Sequence, residues 1–309
     1  SSAASDVYKR QMRMLGWEFS PAPQEQISDI SHVSPPSAFS HQRGKSVLFP
    51  MSTETSVYKA REGDIPLLRS EFHVEKRIWV LTLMGQQTPD NRLTHSFIQE
   101  GMIPALRDIR AQWNAWVEQD EAEMGAALVT TAELSSKIFS NGLDLFNAIA
   151  DPHFFNDYLN AMFTELLTFP IPTIAAVTGH AFAGGCTLAL AHDYRVMNSK
   201  RGYICMNEIE FGAHIPQGML GAIKSVVKTS QTMRKLVLEG HRFTGEEALK
   251  DGLVDATADS AEATLRVAMD MADKLRSRCA KNGWQVNKEL IHRESLAMQF
   301  EPPRVSAKI

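Results

Sequence analysis

A carboxylate, Glu208, sits in residues 206–216 (MNEIEFGAHIP), with apolar neighbours on both sides and Gly212 and Pro216 just beyond. Upstream, the apolar run 173–178 ends at Gly179, and a turn leads into Gly184-Gly185 at the start of a helical pattern. A strand feeding a glycine turn at a helix start leaves backbone N–H groups unpaired and aimed at one spot. Such donors can hold an oxyanion, and a carboxylate beside them can move a proton. Each feature has a plainer reading. Glu208 is equally a solvated glutamate at a strand end, and Glu210 is a rival for any acid/base role. Gly184-Gly185 is equally a pair of helix–strand packing glycines; the turn lacks the G-x-G-x-x-G pattern of a dinucleotide site. His180 and His192 flank Cys186, but their spacing fits neither a zinc site nor a nucleophile elbow. Cys186 is therefore expected in a buried helix, and both histidines to be structural or solvent-facing. Asp144 reads as a loop-capping residue more readily than as a second acid.

The elements that must position these residues follow from pattern. Strands are expected at residues 77–84 (RIWVLTLM), 126–131 (AALVTT) and 173–178. Thr94 is placed to cap a helical region running to about Trp116, which Pro104 should kink or split. Residues 137–145 (KIFSNGLDL) form an irregular segment with Gly142 near its centre. A helix is expected over 154–169, closed by Pro170 and Pro172. Helices follow at 219–228 and 230–239. Thr244 and Glu247 have capping-box spacing ahead of another, and helices at 261–280 and 286–298 close the chain. Strands alternating with helices, then helices alone, indicate an α/β fold.

The totals narrow the function. The 309 residues carry 44% hydrophobic and 22% charged residues and a net charge of −4, which suits a packed core and disfavours a nucleic-acid-binding face. The three cysteines, Cys186, Cys205 and Cys279, match no metal pair and are expected as reduced thiols. No apolar run is long enough to span a bilayer, and no secretory signal layout opens the chain. Residues 1–65 are rich in Ser, Pro, Gln and His, and are expected to be a disordered or artefactual N-terminal extension. Met51 has the look of a natural start.

With Gly142, Gly184-Gly185 and Glu208 in view, the chain resembles the crotonase (enoyl-CoA hydratase/isomerase) superfamily over roughly residues 66–298. Three motifs carry the resemblance: FSNGLD at 139–144, GHAFAGGCTLALAHDYRV at 179–196, and FTGEEALKDGLVD at 243–255. It implies an α/β spiral of ββα repeats over residues 66–258 and a C-terminal helical oligomerisation region over 259–309, giving a homotrimer or hexamer. It implies that the backbone N–H groups of Leu143 and Gly184 hold the thioester oxygen of an acyl-CoA. The substrate would lie against Ser140, Asn141, Gly142, Leu143, Asp144, Leu145, Gly184 and Gly185, with the Leu143 side chain shaping the acyl pocket. No metal or redox cofactor is implied, coenzyme A being part of the substrate.

The hydratases of that superfamily use two glutamates to activate water. Here the first position is Thr187 and the second Glu208. Threonine is no base at neutral pH, so the resemblance implies a Δ3,Δ2-enoyl-CoA isomerase in which Glu208 alone carries the proton, serving fatty acid β-oxidation. The alternatives are a hydratase-like enzyme or thioester hydrolase of secondary metabolism, and a non-catalytic acyl-CoA-binding scaffold. The terminal Ala307-Lys308-Ile309 resembles a peroxisomal import tripeptide, implying an import receptor as partner and a peroxisomal location.

Overall fold

The longest apolar runs build the centre of the molecule. The computed structural model describes residues 53–281 and 283–300. Ten strands are present among them: β1 (Thr53–Lys59), β2 (Pro66–His73), β3 (Ile78–Leu83), β4 (Ala127–Ala132), β5 (Ile138–Ser140), β6 (Thr173–Val177), β7 (His180–Phe182), β8 (Tyr194–Asn198), β9 (Ile204–Cys205) and β10 (Ala256–Ala258). Seven form one sheet in the order β1-β2-β3-β4-β6-β8-β10, and the other three form a second sheet, β5-β7-β9. β1, β2 and β3 pair antiparallel; every pairing from β3 onward is parallel. All residues of β3, β4 and β6 are buried, as parallel strands covered on both faces require.

The connections repeat. β4 and β5, then β6 and β7, then β8 and β9 each place one strand in the large sheet, one in the small sheet, and a helical segment after them. This is the spiral of ββα turns that the motifs imply. The α-helices are α1 (Ile103–Glu118), α2 (Leu145–Ala150), α3 (Asn160–Leu167), α4 (Gly184–Leu190), α5 (Gln217–Val226), α6 (Ser230–Met233), α7 (Gly245–Lys250), α8 (Ala261–Leu275), α9 (Gly283–Ile291) and α10 (Arg293–Phe300). α8 covers one face of the large sheet, with Ala268 and Ala272 against Ile78, Val80, Val129, Ile174 and Val196. The larger core on the other side includes Phe139, Phe163, Phe169 and Leu188.

Four expectations are corrected. Residues 53–65 are not part of an extension: β1 pairs with β2 along seven residues. Its sequence, TETSVYK, is exposed nearly throughout, so it carries none of the apolar periodicity that would reveal a strand. Residues 1–52 and the tripeptide Ala307–Ile309 lie outside the described residues. Pro104 does not split its helical region, which runs unbroken from Phe97 to Glu118. It occupies the first turn of α1, where no N–H is needed, and the preceding turn, Phe97–Met102, widens to a π-helix with Ile103 N–H bonded to Ile98 O. The helix expected over 261–280 tightens to a 3₁₀ turn at Arg276–Cys279. The last helix is two, divided at His292; α9 seats Lys288 inward and α10 seats Ser295 and Gln299.

Candidate active site

Parallel pairing alone gathers the site. β5, β7 and β9 run side by side in one direction, with Ser140 opposite Ala181 and Phe182 opposite Cys205. Their carboxyl ends therefore open at one edge, and the three loops that leave it carry Asn141–Leu143, Ala183-Gly184 and Met206–Glu208. The free edge of β5 is closed by residues 90–93. Asn141 N–H donates to Asp90 O at 2.9 Å, Leu93 N–H to Gly142 O at 2.8 Å, and the Ser140 hydroxyl to Asn91 O at 2.7 Å. The Asn141 amide donates to the Asp90 carboxylate at 3.0 Å. The sequence marks residues 86–92 as a loop containing Pro89-Asp90-Asn91 but does not connect it to the site; Asn91 takes a positive φ of 50°.

The first two loops touch. Gly142 has φ +84°, and a Cβ on it would lie 2.8 Å from Gly184 N. A Cβ on Gly184 would lie 3.0 Å from the Leu143 side chain and 3.4 Å from Gly142 Cα. Glycine is thus required at 142 by both conformation and space. Gly185 is held against the Ser140 carbonyl just as closely, which makes it a packing glycine. Among the described residues, neither Leu143 N–H nor Gly184 N–H donates to a protein acceptor. Two adjacent free donors at one edge suit a carbonyl oxygen that gains negative charge.

Glu208 opens the third loop as the first residue of a 3₁₀ turn, Glu208–Phe211, closed by Gly212 in the left-handed region. Its side chain is 6% exposed, and its Oε2 has no hydrogen-bond partner among the described residues. Burial raises its pKa to about 7, where a carboxyl group both accepts and returns protons readily. Glu210 points outward and pairs with Arg242 at 3.5 Å. Thr187, on α4, is fully buried; its hydroxyl lies 3.7 Å from the sulfur of Met206, two residues before Glu208.

The remaining candidates take supporting places. His192 is buried, bonded to Leu188 O at 2.9 Å and to the Thr130 hydroxyl at 2.8 Å, and burial lowers its pKa to about 4. His180 is half-buried and stacks on Tyr203. Cys186 is a buried thiol pushed well above the ordinary range by burial, then by Cys205 and Glu208 nearby. Asp144 occupies the N-cap position of α2 without bonding a backbone N–H there; its carboxylate accepts from the Asn147 amide at 2.6 Å. Leu145 begins α2 and is half-buried. Ala183 was not anticipated: it holds φ +51°, ψ −124°, a conformation that nothing in its side chain announces. Among the described residues, no group of three or more His, Cys, Asp or Glu is placed to hold a metal, and no helix is long and apolar enough to cross a membrane.

Comparison with known proteins agrees with this fold. The family model described as enoyl-CoA hydratase/isomerase matches residues 75–301. The curated enoyl-CoA delta isomerase 1, peroxisomal, of Arabidopsis thaliana is 32% identical over 205 residues, 65% of this chain and 80% of that protein. Enoyl-CoA delta isomerase 2, peroxisomal, of the same plant is 35% identical over 170 residues, 52% of this chain and 70% of that one. The crystal structure of human mitochondrial delta3-delta2-enoyl-CoA isomerase superposes with a TM-score of 0.61 at 22% identity, covering 75% of this chain and 85% of that one; at that identity the likeness speaks for the fold.

Proposed function

The chain belongs to the enoyl-CoA hydratase/isomerase family, and on that premise we propose that it is a Δ3,Δ2-enoyl-CoA isomerase. The observation that carries the proposal is the environment of Glu208: one buried carboxyl with an unpartnered Oε2 and a pKa near 7, and Thr187 rather than a carboxylate on the helix beside it. The isomerase names of the plant relatives support the same reading.

The chemistry needs one acid/base and one oxyanion site. Leu143 N–H and Gly184 N–H hold the thioester oxygen of a 3-enoyl-CoA. Glu208 removes a proton from C2, and the electrons move onto the thioester oxygen as a dienolate. The carboxylic acid so formed returns the proton to C4, the C3–C4 double bond is lost, and a C2–C3 double bond forms. Each N–H donor contributes roughly 3–4 kcal/mol to the dienolate-forming transition state. Water addition needs a second group to hold and deprotonate water, a task no threonine performs.

The test is Glu208→Gln assayed with 3-hexenoyl-CoA. Turnover should fall at least 1,000-fold, about 4 kcal/mol of barrier; near-normal turnover removes the assignment. Wild-type protein should convert 3-hexenoyl-CoA and leave crotonyl-CoA unhydrated. The names of the two plant relatives also support a peroxisomal location, and the proposed reaction suits a place in degrading unsaturated fatty acids. A fluorescent fusion that stays cytosolic argues against the location. Exposed Val286, Leu290, Ile291 and Phe300 on the last helices support self-association, which light scattering of the pure protein decides.

A further inference from the structure

Thr187 is the residue through which two loops of the site meet. It is fully buried, and among the described residues its hydroxyl has one oxygen acceptor, the carbonyl of Ala183, at 3.4 Å. The same carbonyl accepts Thr187 N–H at 3.1 Å. On its other side the hydroxyl lies against Met206, in the segment that leads to Glu208.

The Ala183 carbonyl and Gly184 N–H are two ends of one peptide unit. In a trans peptide the two point in opposite directions, so whatever holds the carbonyl also aims the N–H. Ala183 has φ +51° and ψ −124°, outside the regions an L-residue prefers. Intrinsic preference therefore does not set this unit; its ties do. The two bonds from Thr187 hold its carbonyl, and the preceding unit is held by Ala183 N–H donating to Cys205 O at 2.9 Å. Donors at a carbonyl oxygen also polarise the N–H at the far end of the unit, strengthening it by roughly 10–30% per bond. Threonines in helices often bond back to the fourth carbonyl before them with no effect on function. What distinguishes this one is whose carbonyl it is.

We infer that Thr187 is a positioning residue of the oxyanion site: its hydroxyl aims and polarises the Ala183–Gly184 peptide. The inference rests on the reading of Gly184 N–H as an oxyanion donor. It makes Thr187 more than the place of a missing glutamate, because the hydroxyl acts on the group that remains.

Thr187→Val removes the hydroxyl and keeps the shape, and Thr187→Ser returns the hydroxyl. Losing an oxyanion donor outright costs roughly 100- to 1,000-fold in kcat, so a 10–30% weakening of it predicts a fall of roughly two- to eight-fold. That fall should appear in kcat on 3-hexenoyl-CoA, with KM unchanged, in the valine variant, and the serine variant should recover most of it. A second readout is deuterium exchange at C2 of a saturated acyl-CoA, which needs the enolate and the base but no double-bond movement. Exchange should fall by the same factor. If wild type exchanges C2 protons without isomerising, the isomerase reading fails, and the exchange rates still decide Thr187. A valine variant equal to wild type in both rates overturns the inference, as does a serine variant no better than valine. Should the valine variant not fold, Thr187→Ala against Thr187→Ser makes the same comparison.

Discussion

At the scale of the residue, the burial of Glu208 has two consequences that can be measured separately. Its pKa of about 7, raised by burial from 4.5, predicts that kcat/KM for isomerisation rises with pH and levels off above about 7, since in the proposed reaction only the carboxylate takes the C2 proton. An acid limb near 4.5 would remove Glu208 from the reaction. The same shift acts on stability. The folded state holds this proton up to about pH 7, while the unfolded chain releases it near 4.5, so the contribution of Glu208 to stability falls as pH rises through that window. The full change is about 3 kcal/mol. Glu208→Gln does not titrate, so its stability relative to wild type should increase between pH 4.5 and pH 7.5 in urea titrations. A constant difference across that range refutes the buried, raised carboxyl. Gly142 gives a third prediction. Gly142→Ala sets a Cβ 2.8 Å from Gly184 N at a φ of +84°, forcing the two donors apart. Activity should fall about 100-fold or more, whereas the melting temperature moves by only a few degrees. Gly142, Gly184 and Glu208 were legible in the sequence because their chemistry demands those residue types. Ala183 was not, since the ties that hold its backbone come from Cys205 and Thr187, one of them distant in sequence.

At the scale of the element, the visible signals were those written in periodicity or capping chemistry. The mainly apolar, fully buried runs of β3, β4 and β6 and the Thr244–Glu247 capping box are present as expected. β1 is a polar edge strand and β10 is three residues long, too exposed or too short to carry a pattern, and the sheet order is fixed by contacts that no local window contains. The seating of the last helix was equally hidden. Gly218, in the first turn of α5, makes room for the amide oxygens of Asn160 on α3 and Gln299 on α10; a Cβ there would overlap the first and lie 2.6 Å from the second. The amide of Asn160 donates to Gln299 O at 2.9 Å, and that of Gln299 to Gly218 O at 2.8 Å. In an exposed helix, glycine to alanine stabilises by about 1 kcal/mol. Here Gly218→Ala should instead destabilise by about 1–3 kcal/mol, the usual range for overpacking, with hydrogen exchange in 293–300 accelerated. A stabilised variant would mean that the three helices do not meet as described.

At the scale of the whole molecule, the last helices are fastened to the spiral by a buried ion pair. Lys288 on α9 reaches the Asp193 carboxylate at 2.8 Å, with 3% and 11% of their side chains exposed. Asp193 also accepts from Thr173 N–H at 2.8 Å and from its hydroxyl at 2.9 Å. One carboxylate thus joins the start of β6, the turn after α4 and the C-terminal helices. Because α4 begins at Gly184, the clamp grips the far end of the helix that presents the proposed oxyanion donor. Removing one partner of such a pair leaves a buried charge uncompensated and typically costs 3–5 kcal/mol. Lys288→Met should therefore destabilise the protein by about that amount at pH 7, and Asp193→Asn in the same chain should recover part of it, since asparagine still accepts from Thr173. A double-mutant cycle in urea separates the outcomes. A coupling energy above about 1 kcal/mol supports the clamp, whereas additive losses mean that the two residues are merely neighbours. If the clamp also sets the pose of α4, Lys288→Met should lower kcat on 3-hexenoyl-CoA at a temperature where the variant is still fully folded. Full activity there would confine Lys288 to stability and leave the site rigid without its C-terminal cover.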